Sequence, residues 1–218
     1  MSDRFIRANT LVGCHALVPE IALHLASEIT PIWQASEELL ARQGVAPPFW
    51  AFAWPGSAAL ARRILDEPGL VAGRRVLDFA SGCGLAAIAC ARAGAASVEA
   101  SDIDPLAMAA IDLNASLNRV AVTALGDVVG SDCRWDVILC GDVCYEAPMT
   151  AHILPWLRAM ARDAEVLVAD PGRAYVPREG MAEVWRVVVP TTMELEDHIS
   201  RMVVVWRVSG GLHPPYVS

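Results

Sequence analysis

The fold is decided by the segment Val76-Leu77-Asp78-Phe79-Ala80-Ser81-Gly82-Cys83-Gly84. Its first half is largely apolar, as in a buried strand of a parallel sheet, and an Ala-rich stretch with the length of a helix follows it. Small residues at 80 to 84 allow a ligand to approach the main chain, and the helix start offers unpaired N–H groups to a polar or negative ligand end. The segment therefore predicts a strand, a turn and a helix that border a ligand site.

From Arg74 onward, short apolar runs alternate with amphipathic stretches, which is typical of strand-helix units around a parallel sheet. The predicted strands cover 75–79, 97–102, 120–124, 135–141 and 165–169, and the predicted helices lie near 84–93, 105–117 and 148–161. Two further β-rich runs, Val184–Val189 and Met202–Val208, read as a terminal antiparallel pair. We expect an α/β fold with a Rossmann-like, doubly wound, seven-stranded sheet, mostly parallel with a terminal antiparallel strand, plus an N-terminal helical extension.

Ahead of the sheet, the sequence predicts a helical lead-in over 19–42, which Pro31 is able to divide into two helices. The uncharged run 43–61 is interrupted by prolines and glycines, so we interpret it as a buried loop and not as a membrane span. The expected organisation is an N-terminal helical extension with an aromatic loop, a core domain and a frayed tail, over residues 1–56, 57–208 and 209–218.

The composition suits a single domain with a sizeable core. The chain has 218 residues, of which 55% are hydrophobic, and its 17 basic and 25 acidic residues give a net charge of −8. Phosphate binding needs concentrated positive charge, so we expect no nucleic-acid partner and no membrane partner. All of the basic residues are arginine. A chain without lysine excludes Schiff-base chemistry and a P-loop lysine.

Cysteines at 14, 83, 90, 133, 140 and 144 show no metal-ligand spacing, so no metal site is predicted. Cys83 and Cys140 fall in predicted interior segments, which indicates reduced thiols and a reducing compartment. The first residues, with Asp3 and Arg4, lack the apolar core of a signal peptide. We expect a cytoplasmic protein.

The second predicted strand ends in Asp102, at the edge of an open α/β sheet where ligands bind. A carboxylate there accepts hydrogen bonds from both ribose hydroxyls, so adenosine binding is predicted. Two ligand classes remain, because Gly82-x-Gly84-x-x-Ala87 with Asp102 also matches the dinucleotide fingerprint of oxidoreductases. Asp78 inside the strand would repel a pyrophosphate and attract a cationic sulfonium ligand, which favours S-adenosylmethionine.

Further polar residues follow the later strands at the same edge. Gly141 ends the fourth strand, and Asp142 and Tyr145 come next, where they are placed to orient a substrate amine and to hydrogen-bond to it. The alternatives are that Asp142 caps the helix after Pro148 and that Tyr145 is a core residue. Asp127, after the third strand, is either in reach of an adenine amino group or an ordinary turn residue.

Two more stretches allow a structural or a functional interpretation. The aromatic stretch 49–56 predicts core packing, with one tryptophan at its end as the possible wall of a cofactor pocket. Asp170-Pro171-Gly172-Arg173 follows the fifth strand and predicts a turn whose arginine pairs with a surface carboxylate.

Together these segments resemble the class I, seven-strand S-adenosylmethionine-dependent methyltransferases, and among them the lysine methyltransferases marked by Asp-x-x-Tyr after strand four. More narrowly, residues 19–207 are similar to the electron transfer flavoprotein β-subunit lysine methyltransferase family. The stretches that carry this similarity are 47–56, 76–82, 142–145, 170–173 and 189–192. Ala80 departs from the pattern, because many methyltransferases have glycine there, and a positive φ at this residue would count against the site.

The resemblance implies S-adenosylmethionine as cofactor, S-adenosylhomocysteine as product and the electron transfer flavoprotein β-subunit as protein substrate. It implies that Asp142 and Tyr145 face the substrate lysine. It also implies a cofactor site formed by Trp54, Ala80, Ser81, Gly82, Asp102, Asp127 and Gly141, to which the opening segment adds Asp78 and Gly84. Bacterial relatives often carry the name nicotinamide N-methylase, so a small-molecule amine is the alternative substrate. The same relatives suggest a bacterial origin. A non-catalytic S-adenosylmethionine-binding module is the alternative outside enzymes.

Overall fold

The computed structural model describes residues 2–27, 30–34, 42, 47–177 and 179–210. Its strands are Leu11–His15 (β1), Val18–Leu25 (β2), Arg75–Phe79 (β3), Ser97–Ser101 (β4), Thr123–Leu125 (β5), Val137–Gly141 (β6), Glu165–Asp170 (β7), Met181–Pro190 (β8) and Ser200–Val208 (β9). Its helices are Ser2–Asn9 (α1), Pro31–Gln34 (α2), Pro55–Asp66 (α3), Leu85–Arg92 (α4), Pro105–Asn118 (α5), Ala147–Met160 (α6) and Met193–Glu196 (α7), with 3-10 turns at Phe49–Ala51 and Pro68–Leu70.

The main sheet has seven strands in the order β5-β4-β3-β6-β7-β9-β8. Strands β3 to β7 pair in parallel, and β9 runs antiparallel to both β7 and β8. The seven-stranded, mostly parallel sheet and its terminal antiparallel pair are therefore confirmed. The chain builds outward from β3 to β5 and then returns to place β6 beside β3. This reversal of strand order leaves a crevice at the carboxyl ends of β3 and β6, where open α/β sheets bind ligands.

Both faces of the central sheet are buried, as parallel sheets require. Val137 and Leu139 of β6 pack in one apolar cluster with side chains of α3 and α4. Ile138 and Cys140 of the same strand point to the other face and pack in a second cluster with side chains of α6. The strand therefore alternates between two apolar layers, which fixes its register and the direction of the residues that follow it.

The predicted helical lead-in over 19–42 is wrong in its first part, because Val18–Leu25 forms an antiparallel hairpin with β1. Ile21 and Leu23 are fully buried at alternate positions, as in a strand. Helix α2 begins at Pro31, where the prediction placed a break. Residues 28–29, 35–41 and 43–46 lie outside the described residues, as do 211–218 of the predicted tail.

Long-range hydrogen bonds from α5 hold the hairpin in place. The Asn118 side chain accepts a hydrogen bond from the backbone N–H of Ala22 at 3.1 Å, and Asn114 accepts one from His24 at 2.8 Å. These partners are 96 and 90 positions apart in the chain. The spacing of apolar residues along a local stretch carries no information about such partners, which explains the wrong helix prediction.

The predicted loop over 43–61 ends earlier than expected, because α3 begins at Pro55. Proline is favoured at the first helical position, where its missing N–H leaves no bond unmade. The following residues Gly56, Ser57 and Ala58 are all buried, so the start of the helix has no polar face for a periodic pattern to reveal. The predicted boundary between 56 and 57 falls inside the first turn of α3.

The described residues also bear on two features of the sequence, the long uncharged run and the cysteines. Within these ranges, no helix combines the length and the apolar character that crossing a membrane requires. All six cysteines are free, and Cys83 and Cys140 are buried as predicted.

Candidate active site

A cavity of about 710 Å³ opens at the carboxyl ends of β3 and β6. Its volume lies within the usual range of sites for small molecules. The cavity brings together most of the residues predicted for the site, namely Trp54, Ala80, Ser81, Gly82, Asp102, Asp127, Gly141, Asp142 and Tyr145. Asp78 and Gly84, also predicted to bind the cofactor, do not line it.

Asp78 lies beneath the loop after β3 and stabilises it by hydrogen bonds. Its carboxylate is 1% exposed and accepts hydrogen bonds from the Ser81 hydroxyl at 2.5 Å and from the Ala87 N–H at 2.9 Å. Burial raises the pKa of Asp78 to about 6. The expectation that Asp78 attracts a cationic ligand directly is therefore corrected: the carboxylate ties the loop to the first turn of α4.

Several backbone amides that the sequence offered to a ligand are engaged within the protein. Ser81 N–H donates to the Ser101 carbonyl at 3.0 Å, Gly82 N–H to the Asp102 carboxylate at 3.0 Å, and Gly84 N–H to the Ser81 carbonyl at 2.9 Å. A dinucleotide loop instead keeps such donors open to the pyrophosphate. This hydrogen bonding argues against a dinucleotide ligand.

Gly84 has a conformational role at the start of α4. Its φ of +81° lies in the left-handed region, and an added Cβ would come within 3.5 Å of the Ile111 backbone. Glycine is therefore favoured here by its positive φ at the helix start, since a Cβ at this distance from α5 would be in ordinary contact.

Two residues that are not glycine have positive φ directly after β3 and β6, Ala80 at 53° and Asp142 at 58°. A side chain in this region costs about 1 kcal/mol or more. Ala80 therefore has the positive φ that was expected to count against the site, although the residue does line the cavity. The loop keeps this path because the next two residues are held by Asp78, Ser101 and Asp102.

Asp102 and Asp127 border the cavity on the β4 and β5 side. The Asp102 carboxylate accepts from Gly82 N–H and from Asp104 N–H, both at 3.0 Å, and burial raises its pKa. Each oxygen has a second lone pair for a ribose hydroxyl. Asp127 is exposed, and its side chain accepts a hydrogen bond from Val129 N–H at 2.9 Å, as in an ordinary turn. The same residue also lines the cavity.

Asp142 follows β6 and is 8% exposed. Its Oδ2 accepts from the backbone N–H groups of Gly56 at 2.6 Å and Ser57 at 3.3 Å, so it caps α3 and not the helix after Pro148. Its Oδ1 lies 3.3 Å from Nη2 of Arg173. Burial raises the pKa of Asp142 to about 7, against the opposing effect of Arg173.

Arg173 pairs with buried carboxylates, which corrects the expected surface pair. Its Nη2 donates to the Glu196 side chain at 2.7 Å as well as approaching Asp142, and both carboxylates are buried. The guanidinium also lies 5.8 Å from the ring centre of Trp54. The turn 170–173 therefore delivers an arginine to the wall of the cavity.

Aromatic rings form the mouth of the cavity. The Phe49 ring centre lies 5.7 Å from that of Tyr145 and 6.0 Å from that of Trp54. Trp50, by contrast, is 1% exposed and packs in the core as the stretch predicts. Tyr145 is 38% exposed, so it is not a core residue. Partial burial and Glu146 raise the Tyr145 pKa, which keeps its hydroxyl as a donor.

The sequence reasoning missed several polar groups of the site. The Ser101 hydroxyl and the Trp50 indole N–H belong to cavity-lining residues, are buried, and have no hydrogen-bond partner among the described residues. Ser101 ends β4, so the strand-end rule that singled out Asp102 applies to it. For the Gly56 amide, the only signal in the sequence is Pro55, because proline is favoured at the start of a helix. Within the described ranges, no cluster of acidic, histidine and cysteine side chains is arranged to hold a metal ion.

Comparison with known proteins places this site in a wider group. Residues 59–144 match the family model described as ribosomal protein L11 methyltransferase (PrmA). Among solved structures, a magnesium protoporphyrin IX methyltransferase from Synechocystis PCC 6803 has a TM-score of 0.53 at 22% identity, covering 70% of this chain and 78% of that one. A ribosomal protein L11 methylase from Lactobacillus delbrueckii has a TM-score of 0.51 at 19% identity, with coverage of 72% and 81%. These structures share the fold.

Similarity to curated proteins covers nearly the whole chain. The electron transfer flavoprotein beta subunit lysine methyltransferase of Danio rerio is 35% identical over 213 residues, which cover 93% of this chain and 81% of that protein. The Xenopus laevis protein of the same name is 40% identical over 178 residues, covering 78% and 70%. On this extent and identity, the chain belongs to the family of electron transfer flavoprotein beta subunit lysine methyltransferases.

Proposed function

We propose that this chain transfers a methyl group from S-adenosylmethionine to lysine ε-amines of a protein, namely the electron transfer flavoprotein β-subunit, in the cytoplasm. The observation that carries the proposal is that Asp142 and Tyr145 border the same cavity as Asp102 and the loop after β3. A cofactor group and a substrate amine therefore meet in one site. The names of the relatives at 35% and 40% identity support the choice of substrate.

The cavity suits S-adenosylmethionine by its charge and its unpaired polar atoms. Asp102, Asp127 and Asp142 line it, and Arg173 is the one guanidinium among its described lining residues. This acidic wall favours a ligand with a sulfonium and an ammonium group over a pyrophosphate. Ser101 and Trp50 supply a buried hydroxyl and a buried indole N–H that still need partners. The Synechocystis enzyme of the same fold was solved with bound S-adenosylmethionine.

The bound cofactor supplies an activated methyl carbon. The lysine nitrogen forms the new bond to this carbon while the bond from carbon to sulfur breaks, and the methylated amine then releases a proton. The protein contributes alignment and exclusion of water. Asp142 attracts and orients the amine, Tyr145 donates or accepts a hydrogen bond beside it, and Phe49 and Trp54 close the mouth with apolar surface.

The family-model match to ribosomal protein L11 methyltransferase includes only one of the two residues predicted for the substrate side, Asp142, and ends before Tyr145. It covers residues 59–144, which include the cofactor loop and Asp142. It omits Trp54 and Arg173, both at the cavity, and also Glu196, which holds Arg173. The curated relatives named for electron transfer flavoprotein align over 93% and 78% of this chain. We therefore propose no ribosomal substrate.

The test is incubation of the purified protein with radiolabelled S-adenosylmethionine and either electron transfer flavoprotein or a lysate of its source, followed by separation of products by size. We expect a labelled β-subunit band. Asp142→Ala should lower the label about 100-fold or more while cofactor binding persists. Asp163→Ala, an exposed aspartate outside the cavity, is the matched control. Because the enzyme has no lysine, its own band adds no label on lysine.

Each other result points to a different function. Label found only in small molecules would replace the proposal with a metabolite amine N-methyltransferase. Tight cofactor binding with no label in any fraction would indicate a non-catalytic binding module.

A further inference from the structure

Asp142 belongs to a buried ionic cluster at the wall of the cavity. The cluster consists of Asp142, Asp170, Arg173 and Glu196, and each of its three carboxylates is buried. Glu196 is also paired with Arg201 at 3.3 Å. A single nitrogen of Arg173, Nη2, lies 2.7 Å from the Glu196 carboxylate and 3.3 Å from Asp142 Oδ1. Arg173 is therefore the link between Asp142 and the C-terminal part of the sheet.

Two acidic residues, Asp170 and Glu196, hold Arg173 in position. Asp170, the last residue of β7, accepts from the backbone N–H of Gly172 at 2.7 Å and of Arg173 at 2.6 Å. Glu196 ends α7, a short helix capped by the Thr192 side chain at 3.3 Å. The stretches 170–173 and 189–192, which carry the family resemblance, therefore both serve to place this arginine.

The two oxygens of Asp142 differ in how firmly they are held. Oδ2 accepts two helix amides, at 2.6 and 3.3 Å. Among the described residues, Oδ1 has only the 3.3 Å contact with Arg173, which is longer than a usual charged hydrogen bond. Oδ1 is thus the oxygen with room for the substrate amine, and Arg173 is the group beside it.

We propose that Arg173 is a positioning residue for methyl transfer, holding the Asp142 carboxylate ionised with Oδ1 directed to the substrate amine. This inference rests on the proposed function. A carboxylate in a dry site takes up a proton unless a cation compensates it. A protonated Asp142 has no charge with which to attract a lysine ammonium, so loss of Arg173 weakens substrate capture even when the fold is intact.

The groups around Asp142 make its ionisation depend strongly on Arg173. Among the described residues, it is faced by one guanidinium, two acids, one thiol and the amides of α3, contributed by Arg173, Asp170, Glu196, Cys144 and Gly56. The two acids raise the pKa of Asp142, as burial does, and Arg173 is the charged side chain that lowers it. The Asp170 Oδ2 atom, buried without a partner in the described chain, adds to the excess of negative charge.

The experiment is the pH dependence of kcat/KM for methylation of the electron transfer flavoprotein β-subunit. Where Asp142 is ionised, log kcat/KM rises with unit slope because only the substrate amine must lose a proton. Below the pKa of Asp142 the slope becomes two, so the break between the slopes reports its ionisation. We expect this break near pH 7 in the wild-type enzyme.

Removing the charge should move the break upward. In Arg173→Met and Arg173→Gln we expect a shift by about one unit or more, with about a fivefold or larger loss of kcat/KM at pH 7. Arg173→Lys keeps the charge and should return the break to within about half a unit. Arg186→Met, which removes an arginine from an exposed pair with Glu183, is the matched control and should leave the profile unchanged.

The outcomes separate this inference from the function on which it rests. A break that stays in place in both neutral variants, with an active wild-type enzyme, would overturn the role of Arg173 alone. A break that moves equally in Arg173→Lys would also overturn it, because the shift would then follow from lost packing. A wild-type enzyme that methylates no protein would overturn both. Thermal melting and cofactor titration of each variant show whether it is folded and loaded.

Discussion

The contact between α3 and the strand ends leads to a prediction for Gly56. A Cβ added at this residue would lie 2.5 Å from the Ala169 carbonyl oxygen, 2.5 Å from Asp142 Oδ2 and 2.8 Å from the Asp142 nitrogen. A carbon and an oxygen in contact are normally separated by about 3.3 Å or more. Two of these three atoms belong to the backbone of the central sheet and cannot turn aside. In Gly56→Ala, α3 must therefore retreat from the strand ends by roughly 0.8 Å.

The retreat affects stability and activity together. It would lengthen the 2.6 Å bond from Gly56 N–H to Asp142 to about 3.4 Å, past the usual length of an N–H···O hydrogen bond. Overpacking of this kind costs about 1–3 kcal/mol, and a lost bond to a carboxylate about 1.5–3 kcal/mol. For a chain of this size, the sum of about 2.5–6 kcal/mol lowers the melting temperature by roughly 5–24 °C. The Asp142 carboxylate then loses the firm hold of the α3 amides, and its displacement by about 1 Å should reduce methyl transfer about 100-fold.

Thermal melting and the methylation assay on the same preparations test this prediction. Gly69→Ala is the matched control, since no atom lies within 4 Å of its added Cβ and its φ is not positive. It should keep full activity and melt at the wild-type temperature or slightly above, because alanine lowers the entropy of the unfolded chain. If Gly56→Ala behaved like this control, the close packing of α3 on Asp142 would be refuted as the means that sets its position.

Three further changes probe the loop after β3 and its neighbours. Because burial raises the Asp78 pKa to about 6, this residue lowers the free energy of unfolding by about 3 kcal/mol as the pH rises from about 4 to 6. In urea unfolding, Asp78→Asn should remove this share of the fall and leave the share of the other raised carboxyls, Asp102, Asp142 and Asp170. Ala80→Gly should relieve the positive φ and raise the unfolding free energy by about 0.5 kcal/mol, with cofactor affinity unchanged in calorimetry. Asp102→Ala should weaken cofactor binding about 10- to 100-fold, and a smaller effect than that of Asp127→Ala would contradict its role.

The central sheet could be predicted because its signals are local. Strands buried on both faces are continuous apolar runs, so the expected 75–79 coincides with β3, and 165–169 falls within β7. The candidate site followed from one further rule, that parallel strands end at a common edge. This rule was enough to bring Asp102, Asp127 and Asp142 to one cavity.

The elements that were missed depend on partners far away in the sequence. Strand β2 is held by Asn114 and Asn118 of α5, and its local spacing fits a helix as well as a strand. Helix α3 starts with residues that are small and buried instead of amphipathic, because the strand ends approach it closely at Gly56. The pairing of Arg173 with Glu196 likewise joins two segments that no short motif connects.

The choice of aspartate at 142 shows how strain and function combine at the strand reversal. Its φ of 58° would be relieved by glycine, at a gain of about 1 kcal/mol. Glycine, however, would remove the acceptor of two α3 amides, each bond being worth about 1.5–3 kcal/mol when the acceptor is charged. These two bonds contribute more than the positive φ costs, whereas ionisation of the buried carboxylate itself lowers the stability of the fold, because its pKa is raised to about 7. Because Arg173 favours that ionised form, the same charge that docks α3 is the one presented to the substrate amine, and the loss of Arg173 should be felt at both.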